Sequence, residues 1–161
     1  NFQRQNMQAA DSISFRYLFS IANLNLIRKF ELSDLRRSEL RYFRIALNEV
    51  TRRQGKAYVH VGKVGTPDVL VIIADFFNHV DGFDWVIVSG QYGEKLVVIF
   101  RCDGYRKNAG KLAKTIFGQF GSAGGHKEAA RAEVPLKNLP LKEGTEFSTA
   151  TLIRLATRHE K

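Results

Sequence analysis

The feature that most constrains the fold is a change of hydrophobic pattern at Gln54-Gly55-Lys56. Before this point apolar residues recur at helical spacing, and after it β-rich segments alternate with helical ones. The expected elements after the break are a strand at 57–64, a helix at 67–80, strands at 85–89 and 95–101, a helix at 108–117 and an edge strand at 133–136. This order predicts an α/β fold with a mixed β-sheet of about five strands flanked by helices.

The connections in this second part carry their own signals. Gln91-Tyr92-Gly93-Glu94 is typical of a hairpin turn between two strands. Pro135 has no N–H group for a ladder, so the strand that contains it is expected at a sheet edge. A glycine-rich loop is expected before that strand, followed by a helical turn over 127–132, and a terminal helix is expected at 148–158.

Residues 1–54 are expected to be helical and to precede a sheet domain at residues 55–161. Asp11 and Ser12 are candidate N-caps of a first helix, a second helix covers 24–30, and Ser33 is a candidate N-cap of a third that runs to about residue 53. The third helix is expected to bury the apolar stripe Leu40, Phe43, Leu47 and Val50, which follows the helical period.

The charge of the chain points to an anionic partner. The formal net charge is +9 and the pI is about 9.9, which suits nucleic acid, nucleotides, polyphosphate or an acidic membrane face. Residues 101–131 hold seven Lys or Arg residues against two acidic ones, a net charge of +5. The single cysteine, Cys102, excludes an intrachain disulfide and fits a cytoplasmic protein. The apolar runs are too short to span a bilayer, so no membrane partner is expected.

The same basic segment holds the candidate site. Arg101 ends a predicted strand, and Gly121-Ser122-Ala123-Gly124-Gly125 precedes His126. Glycines let a ligand approach the main chain closely, N–H groups at a turn or helix start can hold an anion, and arginine can make a two-pronged contact with phosphate. These residue types together predict a phosphate site. The alternative is an ordinary loop that closes a helix.

Three segments extend this pattern into a family resemblance: residues 100–104, 108–113 and 121–130. Together they resemble the DHHA1 domain, the C-terminal substrate-binding domain of DHH phosphoesterases. The resemblance covers residues 56–136 well and the N-terminal helices more loosely. The family includes nanoRNases, cyclic-dinucleotide phosphodiesterases and single-strand exonucleases, and some relatives are labelled exopolyphosphatase-related. A related domain ends alanyl-tRNA synthetases.

The resemblance implies a role for each matching residue. Arg101 would clamp a substrate phosphate, and Gly124, Gly125 and His126 would form the phosphate-binding turn, with His126 donating a hydrogen bond. Ser122 and Arg131 complete the implied set of binding residues. Two positions depart from the family pattern. Ala123 stands where a third glycine is common, and Arg131 stands where a small residue is usual, so it would add a contact or narrow the pocket.

The resemblance also implies what lies outside this chain. The family's Asp-His-His signature is missing from the sequence, so residues 1–54 would be a helical connector from an N-terminal catalytic domain that binds Mn²⁺ or Mg²⁺. No cofactor is expected on this chain, and no hydrolysis is expected from this chain alone, although the parent protein would be a metal-dependent phosphoesterase.

The expected partner is a short RNA, a single-stranded nucleic acid or a small phosphorylated nucleotide. A homo-oligomer is compatible with the sequence. Two other functions stay open at this point: a nucleic-acid-binding module without catalysis, and the substrate domain of a polyphosphate or pyrophosphate hydrolase.

Overall fold

The computed structural model describes residues 8–31, 35–141 and 144–158, and the chain divides into two compact units. The first unit, Asn1–Asp34, contains α1 (Ala9–Ile21) and α2 (Leu24–Glu31). The backbone N–H of Gln8 donates to Asp11 Oδ2 over 2.9 Å, so Asp11 closes the start of α1 from within its first turn. The predicted cap positions, Asp11 and Ser12, therefore lie inside the helix. Ser33, the predicted cap of the third helix, lies outside the described residues.

The second unit, Leu35–Lys161, is built around one six-stranded sheet with the order β1-β2-β3-β4-β6-β5. Its strands are β1 (Thr51–Arg53), β2 (Lys56–Lys63), β3 (Trp85–Tyr92), β4 (Lys95–Cys102), β5 (Ser122–Gly125) and β6 (Ala129–Pro135). Its helices are α3 (Leu40–Glu49), α4 (Asp68–Asn78), α5 (Ala109–Phe117) and α6 (Thr149–Thr157), with 3₁₀ turns at Arg37–Glu39 and Leu136–Asn138. Strands β2 and β3 are parallel, and every other neighbouring pair is antiparallel.

The predicted α/β class and mixed sheet are confirmed, with six strands rather than about five. Thr51–Arg53 forms β1 rather than the end of a helix. The helical turn expected over 127–132 is wrong, because most of that segment belongs to β6. The edge position expected for the Pro135 strand is also wrong: β6 lies between β4 and β5. A central position is tolerated because Pro135 is the last residue of the strand.

Each face of the sheet covers a separate core, and the alternation of β4 shows which residues face which way. Leu96, Val98 and Phe100 pack with α5 and α6, whereas Val97 and Ile99 pack with α3 and α4. Successive strand residues point to opposite faces, so this pattern is what a sheet covered on both sides requires. The register then gives the face on which each remaining residue of β4 and of its neighbouring strands lies.

Helix α3 differs in phase from the predicted stripe. Leu40 and Leu47 are 54% and 55% exposed, whereas Tyr42 and Ala46 are buried against the sheet. Of the predicted stripe, Phe43 and Val50 pack partly against this core, as does Ile45 outside the stripe. The helical period of the apolar residues was predicted correctly, but the buried side of the helix was not. Leu40 and Leu47 dominate the hydrophobic pattern, whereas the large ring of Tyr42 is what packs against the sheet. Helix α3 belongs to the second unit, while the assignment of residues 1–54 as a connector stays a prediction.

No helix in the described ranges is long and apolar enough to cross a membrane.

Candidate functional site

Strand register brings four of the predicted site residues to one face of the sheet. Arg101 on β4 lies opposite Ala129 on β6, and Arg131, two residues further along β6, lies opposite Gly124 on β5. Residues opposite each other in a ladder share a face, and so do alternate residues of one strand. Ser122 joins them by alternation along β5. We call the surface made by Arg101, Ser122, Gly124 and Arg131 the arginine face.

The arginine face lies on the side of the sheet covered by α4, beside that helix. Helix α4 packs against β3 and β4, and the guanidinium of Arg101 reaches Asp75 on it. Further out, a Cβ at Gly124 would meet no atom within 4 Å, and the side chain of Arg131 is 40% exposed. The main chain at Gly124 is therefore open to an approaching ligand.

Arg101 is held in place by an ion pair that the sequence did not reveal. Its Nε donates to Asp75 Oδ1 over 2.6 Å, and its Nη1 donates to the carbonyl of Phe100 over 3.2 Å. The side chain of Arg101 is 17% exposed and that of Asp75 is 50% exposed. A phosphate that uses Arg101 must therefore share it with a carboxylate. Nothing in the local sequence of Asp75 links it to a residue 26 positions away on a strand, so only the tertiary structure reveals this pair.

Arg131 belongs to a second charged group on the same face. Its Nη2 lies 2.8 Å from Glu133 Oε1, and Lys95 Nζ lies 3.2 Å from Glu133 Oε2. The hydrogen bond from Lys95, together with the nearby Arg131, lowers the pKa of the Glu133 carboxyl. The Nε of Arg131 is buried and has no hydrogen-bond partner among the described residues. With Arg101, Arg131 and Lys95 against Asp75 and Glu133, this face keeps one positive charge in excess.

Gly125 has a different position from Gly124. It lies opposite Ala130, on the face covered by α5, and its φ of 151° lies at the edge of the region that favours glycine. A Cβ at Gly110 in α5 would lie 2.4 Å from the carbonyl oxygen of Gly125. The two glycines therefore permit close contact between a helix and a strand. Gly125 shapes the strand beside the arginine face and does not lie on it.

His126 begins the turn between β5 and β6 and is exposed. Its backbone N–H donates to the carbonyl of Ala129 over 2.8 Å, and its carbonyl accepts from the N–H of Gly110 over 2.9 Å. The structure thus places His126 at the end of the strand that carries Gly124. Cys102 fixes this turn to β4, since its N–H donates to the Glu128 carbonyl over 3.1 Å and its Sγ to the Lys127 carbonyl over 3.2 Å.

The start of α5 has no free amide groups to offer a phosphate in its first turn. The N–H of Ala109 donates to the Lys127 carbonyl over 2.8 Å, that of Gly110 to the His126 carbonyl, and that of Lys111 to Asn108 Oδ1 over 2.9 Å. The glycine-rich segment itself is a strand and leads into another strand. The groups that this face offers to an anion are therefore side chains and the exposed main chain of β5, not a helix dipole.

The described residues do not fit the two-metal centre that the family resemblance implies. Such centres need several carboxylates and imidazoles around hard cations. Over residues 8–31, 35–141 and 144–158, no group of three or more His, Cys, Asp or Glu side chains could hold a metal ion. No catalytic step is assigned to these residues.

The comparisons with known proteins agree with this architecture. No protein-family model matches the chain, and no curated protein matches it. Among solved structures, an exopolyphosphatase-related protein from Bacteroides fragilis aligns over 98% of this chain and 45% of its own, with a TM-score of 0.67 and 14% identity. The chain has a DHHA1-type fold. The resemblance predicted from the sequence is thereby confirmed at the level of the fold.

Two further solved structures align with part of this chain. The C-Ala domain of alanyl-tRNA synthetase from Aquifex aeolicus matches 66% of this chain and 96% of its own, with 15% identity and a TM-score of 0.49. A pGpG-specific phosphodiesterase from Vibrio cholerae matches 68% of this chain and 37% of its own, with 14% identity and a TM-score of 0.44. This chain spans less than half the length of the exopolyphosphatase-related protein and of the phosphodiesterase.

Proposed function

We propose that the arginine face binds phosphate groups of a short RNA, a single-stranded nucleic acid or a small phosphorylated nucleotide. The observation that carries the proposal is the register, which puts Arg101 and Arg131 on neighbouring strands in a diagonal relation next to the open main chain of Gly124. Diagonal neighbours in a sheet are about 7–8 Å apart, within reach of two long side chains on one ligand.

Each residue has a defined part in this proposal. Arg101 and Arg131 make charge-assisted hydrogen bonds to phosphate oxygens. Gly124 lets the ligand approach the strand, and Ser122 adds a hydroxyl on the same face. His126, at the end of β5, donates a hydrogen bond to a phosphate oxygen from the adjoining turn. Gly125 acts indirectly, by allowing β5 to lie close against α5.

We further propose that this binding serves a DHH-type phosphoesterase that hydrolyses phosphodiester or phosphomonoester bonds. The DHHA1-type fold supports this assignment, as does the larger size of the exopolyphosphatase-related protein. In this proposal a Mn²⁺ or Mg²⁺ centre and the attacking water belong to another domain of the parent protein. The present chain binds the substrate phosphate.

The ion pair between Arg101 and Asp75 gives a two-sided test of the binding site. Arg101→Ala should weaken binding of a 5′-phosphorylated dinucleotide by about 1.5–3 kcal/mol, the usual worth of a hydrogen bond to a charged group. Asp75→Asn should strengthen binding, because it removes the carboxylate that competes for the guanidinium. Calorimetric titration of both variants measures the two effects. Equal nucleotide affinity of Arg101→Ala and the unaltered chain would show that Arg101 does not take part in binding.

The alternatives are separated by competition and by activity. A short RNA should displace bound nucleotide better than polyphosphate does; the reverse order would favour a polyphosphate or pyrophosphate hydrolase. The intact parent protein should hydrolyse short RNA or dinucleotides in the presence of Mn²⁺. Binding without any hydrolysis by the intact protein would favour a non-catalytic nucleic-acid-binding module.

A further inference from the structure

A cleft separate from the arginine face lies along β2. The two are in different halves of the sheet, because the arginine face lies on β4, β6 and β5. Strand β1 pairs only with residues 56–58 of β2, and beyond that point a cleft of about 1530 Å³ opens between α3 and residues of the ranges 136–141 and 144–149. Strands β3 and β4 separate β2 from β6. The cleft lies at the carboxyl ends of the parallel strands β2 and β3, which is where open α/β sheets usually bind ligands.

The polar centre of this cleft is His60, whose Nδ1 lies 2.9 Å from Ser89 Oγ. Ser89 is fully buried, and its hydroxyl also lies within hydrogen-bond reach of the Val59 carbonyl, at 3.3 Å. When the hydroxyl donates to Val59, His60 Nδ1 donates to Ser89 Oγ; in the other tautomer the hydroxyl donates to Nδ1. The ligand proposed for this cleft uses the first tautomer, in which Nε2 keeps its lone pair; Nε2 has no hydrogen-bond partner among the described residues. Burial lowers the pKa of His60 to about 4, so the ring is neutral at neutral pH.

The cleft is shaped for a small molecule rather than for an added strand. The N–H of His60, on the free edge of β2, already donates to Thr149 Oγ1 over 3.1 Å. The register breaks between His60 and Lys63, and Gly62 has a φ of 75°. An extended peptide would find neither a regular edge nor free amides in sequence. The ring of Phe147 lies 5.1 Å from the ring of His60 and gives the cleft a flat apolar wall.

Charged groups of both signs line the rim. Lys63, Lys137 and Arg41 are positive, and Glu49 and Glu146 are negative. Arg41 is engaged with Tyr42, since its guanidinium lies 4.7 Å from the ring centre and donates to Tyr42 Oη over 2.7 Å. The two lysines form no ion pair with any residue in the described ranges. They are the cations that remain available to a ligand.

We propose that this cleft binds a nucleoside monophosphate whose base carries an exocyclic amino group. The amino group donates to Nε2 of His60, the base packs against Phe147, and the phosphate is bound by Lys63 and Lys137. An amino group suits this place because a neutral imidazole with Nδ1 protonated can only accept at Nε2. The proposal needs no residue of the arginine face.

The test is calorimetric titration of the full chain with AMP and with purine riboside 5′-monophosphate, which lacks only the amino group. AMP should bind at least tenfold more tightly. His60→Phe should remove that preference, and Lys63→Ala should weaken both ligands at least threefold without touching the core, because Lys63 is exposed. Lys114→Ala is the matched control, because Lys114 is exposed on α5 outside both sites, and it should leave AMP binding in the cleft unchanged.

Several outcomes would overturn the proposal. They are equal affinity for the two ligands, unchanged AMP binding in Lys63→Ala, and loss of AMP binding in Arg101→Ala, which would locate the nucleotide at the arginine face. Chemical-shift changes at residues 60–63 and 147–149 on adding AMP locate the ligand independently of any variant. Shifts confined to residues 122–131 would contradict this site and leave the phosphate site of the arginine face intact.

Discussion

At the scale of single residues, the partner of a charged side chain decides what it can do. Arg101 and Arg131 both lie on the arginine face, and both already contact a carboxylate, Asp75 and Glu133 respectively. Such pairs hold a guanidinium in one orientation before a ligand arrives, and their partial exposure leaves room for an anion to compete. The net positive charge of the face is therefore small, and its geometry matters more than its charge.

His60 predicts a specific dependence of stability on pH. Burial lowers its pKa from 6.5 to about 4, so between these values the unfolded chain binds a proton that the folded chain does not. The free energy of unfolding is then unaffected by His60 above about pH 6.5 and falls as the pH drops towards 4, by up to about 3 kcal/mol. Urea unfolding at pH 7.5, 6, 5 and 4.5 measures this slope.

His60→Phe is the matched variant for the pH experiment. It keeps a flat ring beside Phe147 and removes the titrating group. The stability of the unaltered protein relative to His60→Phe should therefore fall as the pH drops below about 6.5. Parallel pH profiles for the two proteins would show that His60 titrates normally and is not buried as described.

At the scale of elements, the contact between α5 and β5 sets the position of the candidate site. Gly110 and Gly125 touch through their backbones, and the carbonyl groups of His126 and Lys127 accept from the first amides of α5. The glycines of this region therefore have two separate uses. Gly110 and Gly125 allow the packing, whereas Gly124 leaves the opposite face open.

This division predicts different effects on the free energy of unfolding for two alanine substitutions. Gly110→Ala should lower the free energy of unfolding by about 1–3 kcal/mol, because its Cβ would lie 2.4 Å from the Gly125 oxygen and the overlap outweighs the better helix propensity of alanine. Gly124→Ala should change stability by less than about 0.5 kcal/mol, because its Cβ meets nothing within 4 Å. Chemical denaturation of both variants measures the difference.

The same pair also tests the site. Gly124→Ala should still weaken nucleotide binding at the arginine face, since the new methyl group occupies the space over the strand. Gly65→Ala is the control, because a Cβ there is equally unobstructed and lies outside the arginine face. Full nucleotide affinity in Gly124→Ala would mean that the ligand does not approach the main chain of β5.

The elements that the sequence predicted well are those with strong local signals. Asn108 and Ser148 cap α5 and α6 by accepting from the N–H groups of Lys111 and Thr151. The β3–β4 hairpin follows its turn residues. Strand β5 and the first half of β6 consist of Gly and Ala apart from Ser122 and Arg131, and this composition has no clear hydrophobic period. Their strand form depends on pairing with β4, which local sequence does not encode.

At the scale of the whole molecule, the charge of the chain predicts salt-dependent binding. The chain carries a formal net charge of +9, and each phosphate contact on a single strand adds about −0.7 to the slope of log affinity against log salt. Arg101→Ala should therefore make the slope for a short RNA shallower by about 0.7. Arg154→Ala, an exposed arginine on α6, should leave the slope nearly unchanged.

Fluorescence anisotropy between 50 and 300 mM KCl, about the range over which phosphate contacts weaken strongly, measures both slopes. An equal loss of slope in the two variants would indicate diffuse attraction by the whole charge, without a specific role for the arginine face.

The amino-acid sequence by itself determined the class of the fold and the order of most elements, because hydrophobic period, cap residues and turn residues act over a few positions. The six candidate residues for phosphate binding came from the residue types of one segment together with the family resemblance. Only the tertiary structure decided that Arg101, Arg131 and Gly124 share a face while Gly125 faces the other way, that Asp75 contacts Arg101, and that His60 lines a second cleft. These facts depend on strand register and burial, which arise from contacts between residues far apart in the chain.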